Sequence, residues 1–134
     1  MPDTLAETPA SLATTVRDED GLVITEYPPA TRVDLAIAQS TFRRRQALLA
    51  ASGRTKHRII IHGTRIVSFD YQAYRFSAGR EVSSTVTAAA LVCSSMLERH
   101  MASVFVNMWR PSYPVKIFED MESARRWLHT FPDE

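Results

Sequence analysis

The sequence predicts an α/β domain with a mostly parallel sheet and an opening β-hairpin, in the order β-β-α-β-α-β-α-β-α. An Asp-Gly step between two short apolar runs marks the hairpin. Two continuous apolar runs, Ile59 to Ile61 and Thr87 to Cys93, have the character of strands covered on both faces. Helix-period segments separate and follow them, and right-handed crossovers then place helices on the sheet faces.

Each element follows from local signals. Residues 1–11 mix Pro, Thr, Ser and acids without periodicity and read as a flexible N-terminal arm, leaving a single domain over 12–134. Leu12 to Val16 and Leu22 to Tyr27 are the hairpin strands, and Pro28 and Pro29 stop the second. Asp34 is placed to cap a helix running to Ser52, with Gly53 as its stop. On it Leu35, Ala38, Phe42 and Leu49 share an arc of about 60°. Asp70 and Gly79 bracket a short helix over 71–78, and Ser95 with Glu98 forms a capping box for the next. There Leu97, Met101, Val104, Phe105 and Met108 make the stripe expected to face the core. Tyr113 to Phe118 is the last strand, and Asp120 opens a helix whose Met121, Ala124, Trp127, Leu128 and Phe131 share a face.

The 134 residues fit one domain, and 45% apolar residues suffice for one ordinary core. Sixteen bases against fifteen acids leave +1, which fits neither a disordered polyelectrolyte nor a strongly basic nucleic-acid protein. The charge is uneven, at −5 over residues 1–40, +8 over 41–80 and −2 over 81–134. No 18-residue apolar run and no leader pattern is visible, so a cytoplasmic protein without a membrane span is expected. A single cysteine, Cys93, cannot form an internal disulfide, and stability must come from packing.

The element order, the short helix after the Ile-rich strand and the closing Tyr113-Pro114-Val115-Lys116-Ile117-Phe118-Glu119-Asp120 segment with Ala124 and Trp127-Leu128 together resemble the STAS domain. The likeness is to small bacterial single-domain, SpoIIAA-like proteins related to the anti-sigma-factor antagonists, and it spans about residues 12–130. In those antagonists an Asp-Ser-Ser-Gly-like turn opens the short helix, and its second serine accepts the switching phosphate. The matching stretch here is Phe69-Asp70-Tyr71-Gln72-Ala73, where Gln72 has no hydroxyl to phosphorylate. The resemblance implies a non-catalytic protein-interaction or signalling module without that serine, its partner-binding surface at Ser68, Asp70, Tyr71 and Gln72.

The chemistry-bearing residues offer two alternatives. The basic middle third could bind an acidic metabolite or lipid, with Arg43, Arg54, Arg58 and Arg75 as the candidate anion-binding residues beside a cavity. Cys93 and His62 each end a buried strand, and a Cys-His enzyme would need them within reach of each other. No orienting third residue or oxyanion motif accompanies them, and the expectation is no catalytic residue. The four histidines lack metal-ligand spacing and the four glycines form no phosphate loop, so neither a metal nor a cofactor is expected. Nucleic acid is disfavoured for want of aromatic residues alternating with bases. Val106 and Trp109 fall off the apolar stripe and are the expected contacts of a homodimer, the commonest closed oligomer.

Overall fold

The computed structural model describes residues 9–134, so residues 1–8 of the expected arm lie outside the described residues. Pro9–Ala13 forms a short helix, α1, which includes the last residues of that arm and takes Leu12 out of the hairpin. The hairpin strands are β1 (Thr15–Glu19) and β2 (Leu22–Glu26). The turn is tighter than the gap of residues 17–21 left between the expected strands, because Asp20 (φ 55°) and Gly21 (φ 78°) both adopt the left-handed conformation of a two-residue hairpin turn. Pairing therefore starts at Glu19 opposite Leu22 and draws Arg17 and Asp18 into the strand.

Next come β3 (Thr31–Val33), α2 (Leu35–Ser52) and β4 (His57–His62). A single 3₁₀ turn leads to β5 (Ile66–Phe69), α3 (Tyr71–Ala78) and α4 (Arg80–Ser83). The chain closes with β6 (Val86–Val92), α5 (Met96–Trp109), β7 (Val115–Phe118) and α6 (Met121–Leu128). The caps are those the sequence announces. Asp34, Asp70 and Asp120 accept from the amides of Ile37, Ala73 and Ser123, and Ser95 with Glu98 closes the capping box.

The main sheet has the order β1-β2-β4-β6-β7, with only the β1–β2 hairpin antiparallel. A separate parallel ribbon pairs β3 with β5, which a three-residue strand is too short to announce by periodicity. Alternation along β2, β4 and β6 sends Leu22, Ile24, Ile60, Ala88 and Ala90 to one face, where Ala124 and Leu128 of α6 cover them. Val23, Ile59 and Ala89 point to the other face, against Phe42 of α2, Val82 of α4 and the pair Trp109 and Tyr113.

α5 is rotated from the expected orientation. Leu97, Met101, Val104 and Met108 lie outside, with Leu97 70% and Met108 69% exposed, while Trp109 is only 7% exposed. The inward face carries Ala102, Phe105 and Trp109, about 120° round the helix from the Leu97 stripe. Aromatic packing accounts for the choice: the Phe105 ring lies 5.0 Å from Phe69 and 5.5 Å from Trp109, and Trp109 meets Tyr113 edge-on at 5.9 Å. Two such rings bury more area than the flexible Leu and Met side chains they displace. Trp109 is therefore a core residue and not a dimer contact, and half-buried Val106 packs in the same cluster.

The 3₁₀ turn runs close under β6. A Cβ at Gly63 would stand 2.7 Å from the Cys93 Sγ and 3.5 Å from the Val92 carbonyl oxygen. Gly63→Ala is expected to cost about 1–3 kcal/mol by overpacking. In urea denaturation, Cys93→Ala in the same chain should recover most of that loss; an undiminished loss would show that the sulfur is not what Gly63 accommodates.

Candidate functional site

Helix α2 carries the residue that defines the site. Arg45 lies seven positions after Ala38 and so within about 20° of it, at the edge of the apolar arc. The side chain is 7% exposed, and its Nε and Nη2 donate to the Thr25 hydroxyl of β2 at 3.3 and 3.2 Å. Among the described residues no carboxylate lies within ion-pairing distance of it. Burial lowers the Arg45 pKa, although a guanidinium stays charged at neutral pH.

Arg45 stands in the wall of a cavity of about 500 Å³ between the sheet and α5. Tyr27, Ile59, Val82, Trp109 and Tyr113 form its deep, buried walls. Thr64, Val67, Leu97 and Met101 are exposed lining residues and mark the mouth. The lining is largely apolar, and among the described residues Arg45 is its one base and Glu98 its one acid. Burial raises the pKa of Tyr27 and of Tyr113, so both hydroxyls remain protonated. The indole Nε1 of Trp109 is buried without a hydrogen-bond partner.

The sequence-predicted residues do not gather in one place. Ser68 lines the cavity, Asp70 is occupied in capping α3, and Tyr71 and Gln72 are exposed on the first turn of that helix. Tyr71 stacks on Tyr74 at 5.8 Å, and the Arg75 guanidinium lies 5.8 Å over its ring. Arg54 and Arg58 converge on Gly21 and Asp133, whereas Arg75 lies on α3 over the Tyr71 ring. Arg54 pairs with Asp133 and, at 3.3 Å, with Asp18; Arg58 donates to the carbonyls of Phe131 and Gly21. These two bind the chain's end to the hairpin. Arg43 is half-buried on α2. None of the four lines the cavity, whose cation is Arg45.

Cys93 also lines the cavity, but it is buried, and burial together with the charge of Glu98 raises its pKa. A protonated, enclosed thiol is a poor nucleophile. His62, with its pKa lowered by burial, has its Nε2 4.0 Å from a Glu26 carboxylate oxygen. Among the described residues no group of three His, Cys, Asp or Glu side chains is placed to hold a metal, and no helix is long and apolar enough to cross a membrane.

The mixed sheet, its helical covering and the short helix after β5 give the chain a SpoIIAA-like fold. An uncharacterised protein of the DUF3478 family with a SpoIIAA-like fold, from Shewanella loihica PV-4, superposes with a TM-score of 0.61 at 15% identity, over 87% of this chain and 92% of that one. An anti-sigma factor antagonist from Mycobacterium paratuberculosis superposes with a TM-score of 0.51 at 13% identity, over the same 87% and 92%. The chain belongs to the family described as Domain of unknown function (DUF7793), whose profile matches residues 16–132. No curated protein matches it.

Beside Arg45 lies His57, whose two ring nitrogens are buried without hydrogen-bond partners. Burial, aided by the Arg45 charge, lowers its pKa from 6.5 to about 4. The unfolded chain therefore takes up this proton first as pH falls, and the stability present above pH 6.5 is lost progressively toward pH 4. Between pH 7.5 and 5 the loss from His57 should reach about 2 kcal/mol. Urea denaturation at the two pH values should show His57→Leu losing less than the parent by that amount, and an equal loss in both would contradict the assignment.

Proposed function

We propose that the protein is a non-catalytic interaction module of signalling type that self-associates through the outer face of α5. One observation carries this reading: Met96, Leu97, Met101, Val104 and Met108 are large apolar side chains left exposed on a single helix. Leu97, Met101, Val104 and Met108 form an uncharged stripe about 16 Å long. Such a stripe is self-complementary. Packed antiparallel about a two-fold axis, Leu97 meets the partner's Met108 and Met101 meets the partner's Val104. Exposed Val67 of β5 and Tyr71 of α3 extend the apolar surface beyond the cavity mouth.

The family likeness supports a role of this kind, since the Mycobacterium neighbour is named for acting against a protein factor. The surface at Ser68, Asp70, Tyr71 and Gln72 is the second contact region of the proposal. Asp70 fixes the start of α3 so that Tyr71 and Gln72 face outward. With Gln72 at the serine position, binding here is governed by contact and not by phosphate.

A helix-face contact buries less than the roughly 800 Å² per partner of a standard interface, which makes the dimer a reversible one. Sedimentation velocity from about 1 µM to about 1 mM should therefore show the parent passing from monomer to dimer. Met101→Glu should stay monomeric with its stability unchanged within about 0.5 kcal/mol. A parent monomeric throughout, or a Met101→Glu variant that dimerises equally, would overturn the reading. The alternative of a ligand-binding module is favoured by the cavity beneath α5.

A further inference from the structure

We propose that the cavity between the sheet and α5 binds a small apolar acid, its single carboxylate on Arg45 and its apolar body along Ile59, Ile61, Val82 and Phe105. The inference rests on the ligand-binding reading of the cavity, whose mouth shares Leu97 and Met101 with the α5 contact surface. It starts from an imbalance. Arg45 has five N–H donors and a fixed positive charge, yet the Thr25 hydroxyl is its one acceptor among the described residues. Leaving a buried guanidinium so poorly compensated is unfavourable unless something else supplies the anion.

Among the described residues none supplies it. Glu98 is the one acid in the lining, and its carboxylate accepts from the Ser95 amide and the Ser94 hydroxyl at the helix start. The charge count then selects the ligand. Arg45 is the single cation of the wall, and neighbouring His57 is neutral at pH 7, so the site matches one negative charge. A carboxylate meets that requirement and can pair with a guanidinium through two parallel hydrogen bonds. A phosphate monoester carries close to a second charge that no lining residue offsets. The Tyr113 hydroxyl and the unpartnered Trp109 Nε1–H are further donors of the same wall.

Shape and polarity agree with this head-and-body arrangement. A volume of about 500 Å³ falls within the range of small-molecule sites, and apart from the polar residues named the walls are mostly aliphatic and aromatic. The exposed mouth residues Leu97 and Met101 are themselves apolar, so a ligand's tail can extend along them.

The test uses the protein's own reporter. Trp109 lines the cavity, whereas Trp127, the other of the two tryptophans, packs against Phe118 and Phe131 under α6. In a Trp127→Phe background, Trp109 emission is followed while decanoate, decanol or decyl phosphate is added. Decanoate is expected to produce a saturable change with a Kd at least tenfold below those of decanol and decyl phosphate. Arg45→Met is expected to erase the preference for decanoate over decanol while raising the Tm, because it removes an unpaired buried charge. Equal binding of decanol and decanoate would overturn the acid head but keep an apolar cavity. Tighter decyl phosphate binding, or an Arg45→Met variant that keeps the decanoate preference, would also overturn the proposal. No response to any ligand would overturn the cavity reading with it. The decanoate-to-decanol ratio in the unmutated cavity decides the matter even if Arg45→Met fails to fold.

Discussion

A guanidinium pressed against an apolar sheet face gives up most of its hydration, and at Arg45 the hydroxyl of Thr25 is what replaces it. An unpaired buried ion costs several kcal/mol, which the remainder of the fold must offset. The opposite face of the sheet is built for that. Leu22, Ile24, Ile60 and Leu128 are fully buried there, each worth about 1.5–3 kcal/mol by apolar burial. The two faces thus divide the work: α6 closes a dry core, and α2 with α5 encloses a cavity that holds a charge. His57, kept neutral beside Arg45, belongs to the same arrangement.

Helix α5 links the cavity to the surface. Its inward aromatic residues form part of the cavity wall, and its outward Leu and Met residues form the apolar stripe. Leu97 and Met101 take part in both, since they line the mouth and stand exposed beside it. The helix is held at its start by the Ser95–Glu98 capping box and by Arg99, which donates to the Cys93 carbonyl. Its end is held by Trp109 in the core and by the Tyr74 hydroxyl on the Met108 carbonyl. An occupied cavity and an occupied outer face therefore act on one firmly placed element.

Much of the fold was legible because its signals are local. Asp34, Asp70, Ser95 and Asp120 announce their helices by capping chemistry, and Ile59 to Ile61 announces a strand covered on both faces. The STAS likeness followed from the order of those elements. What escaped depends on tertiary choice. The Leu97 stripe has ideal helical spacing, but spacing cannot tell which side of a helix meets the larger aromatic cluster, and Phe105 with Trp109 won that contest. The site escaped for a related reason. Arg54 and Arg58 stood out in a basic stretch, yet they serve Asp133, Gly21 and Phe131. Arg45 did carry a signal, since it falls about 20° beyond Ala38 at the edge of the apolar arc, where a charge is out of place. Its significance depends on the absence of a partner carboxylate among the described residues, which only the folded chain reveals.

The account turns on Arg45 being charged and shielded from bulk water. The measurement that addresses this most directly is hydrogen exchange of arginine Nε–H groups by proton–nitrogen NMR, with the Arg45→Met spectrum assigning the Arg45 signal. Arg126 is the internal reference, since its side chain is 71% exposed. The account predicts an Arg45 Nε–H signal that exchanges far more slowly than that of Arg126 and shifts when decanoate is added. Exchange as fast as at Arg126, with no shift on adding decanoate, would contradict it.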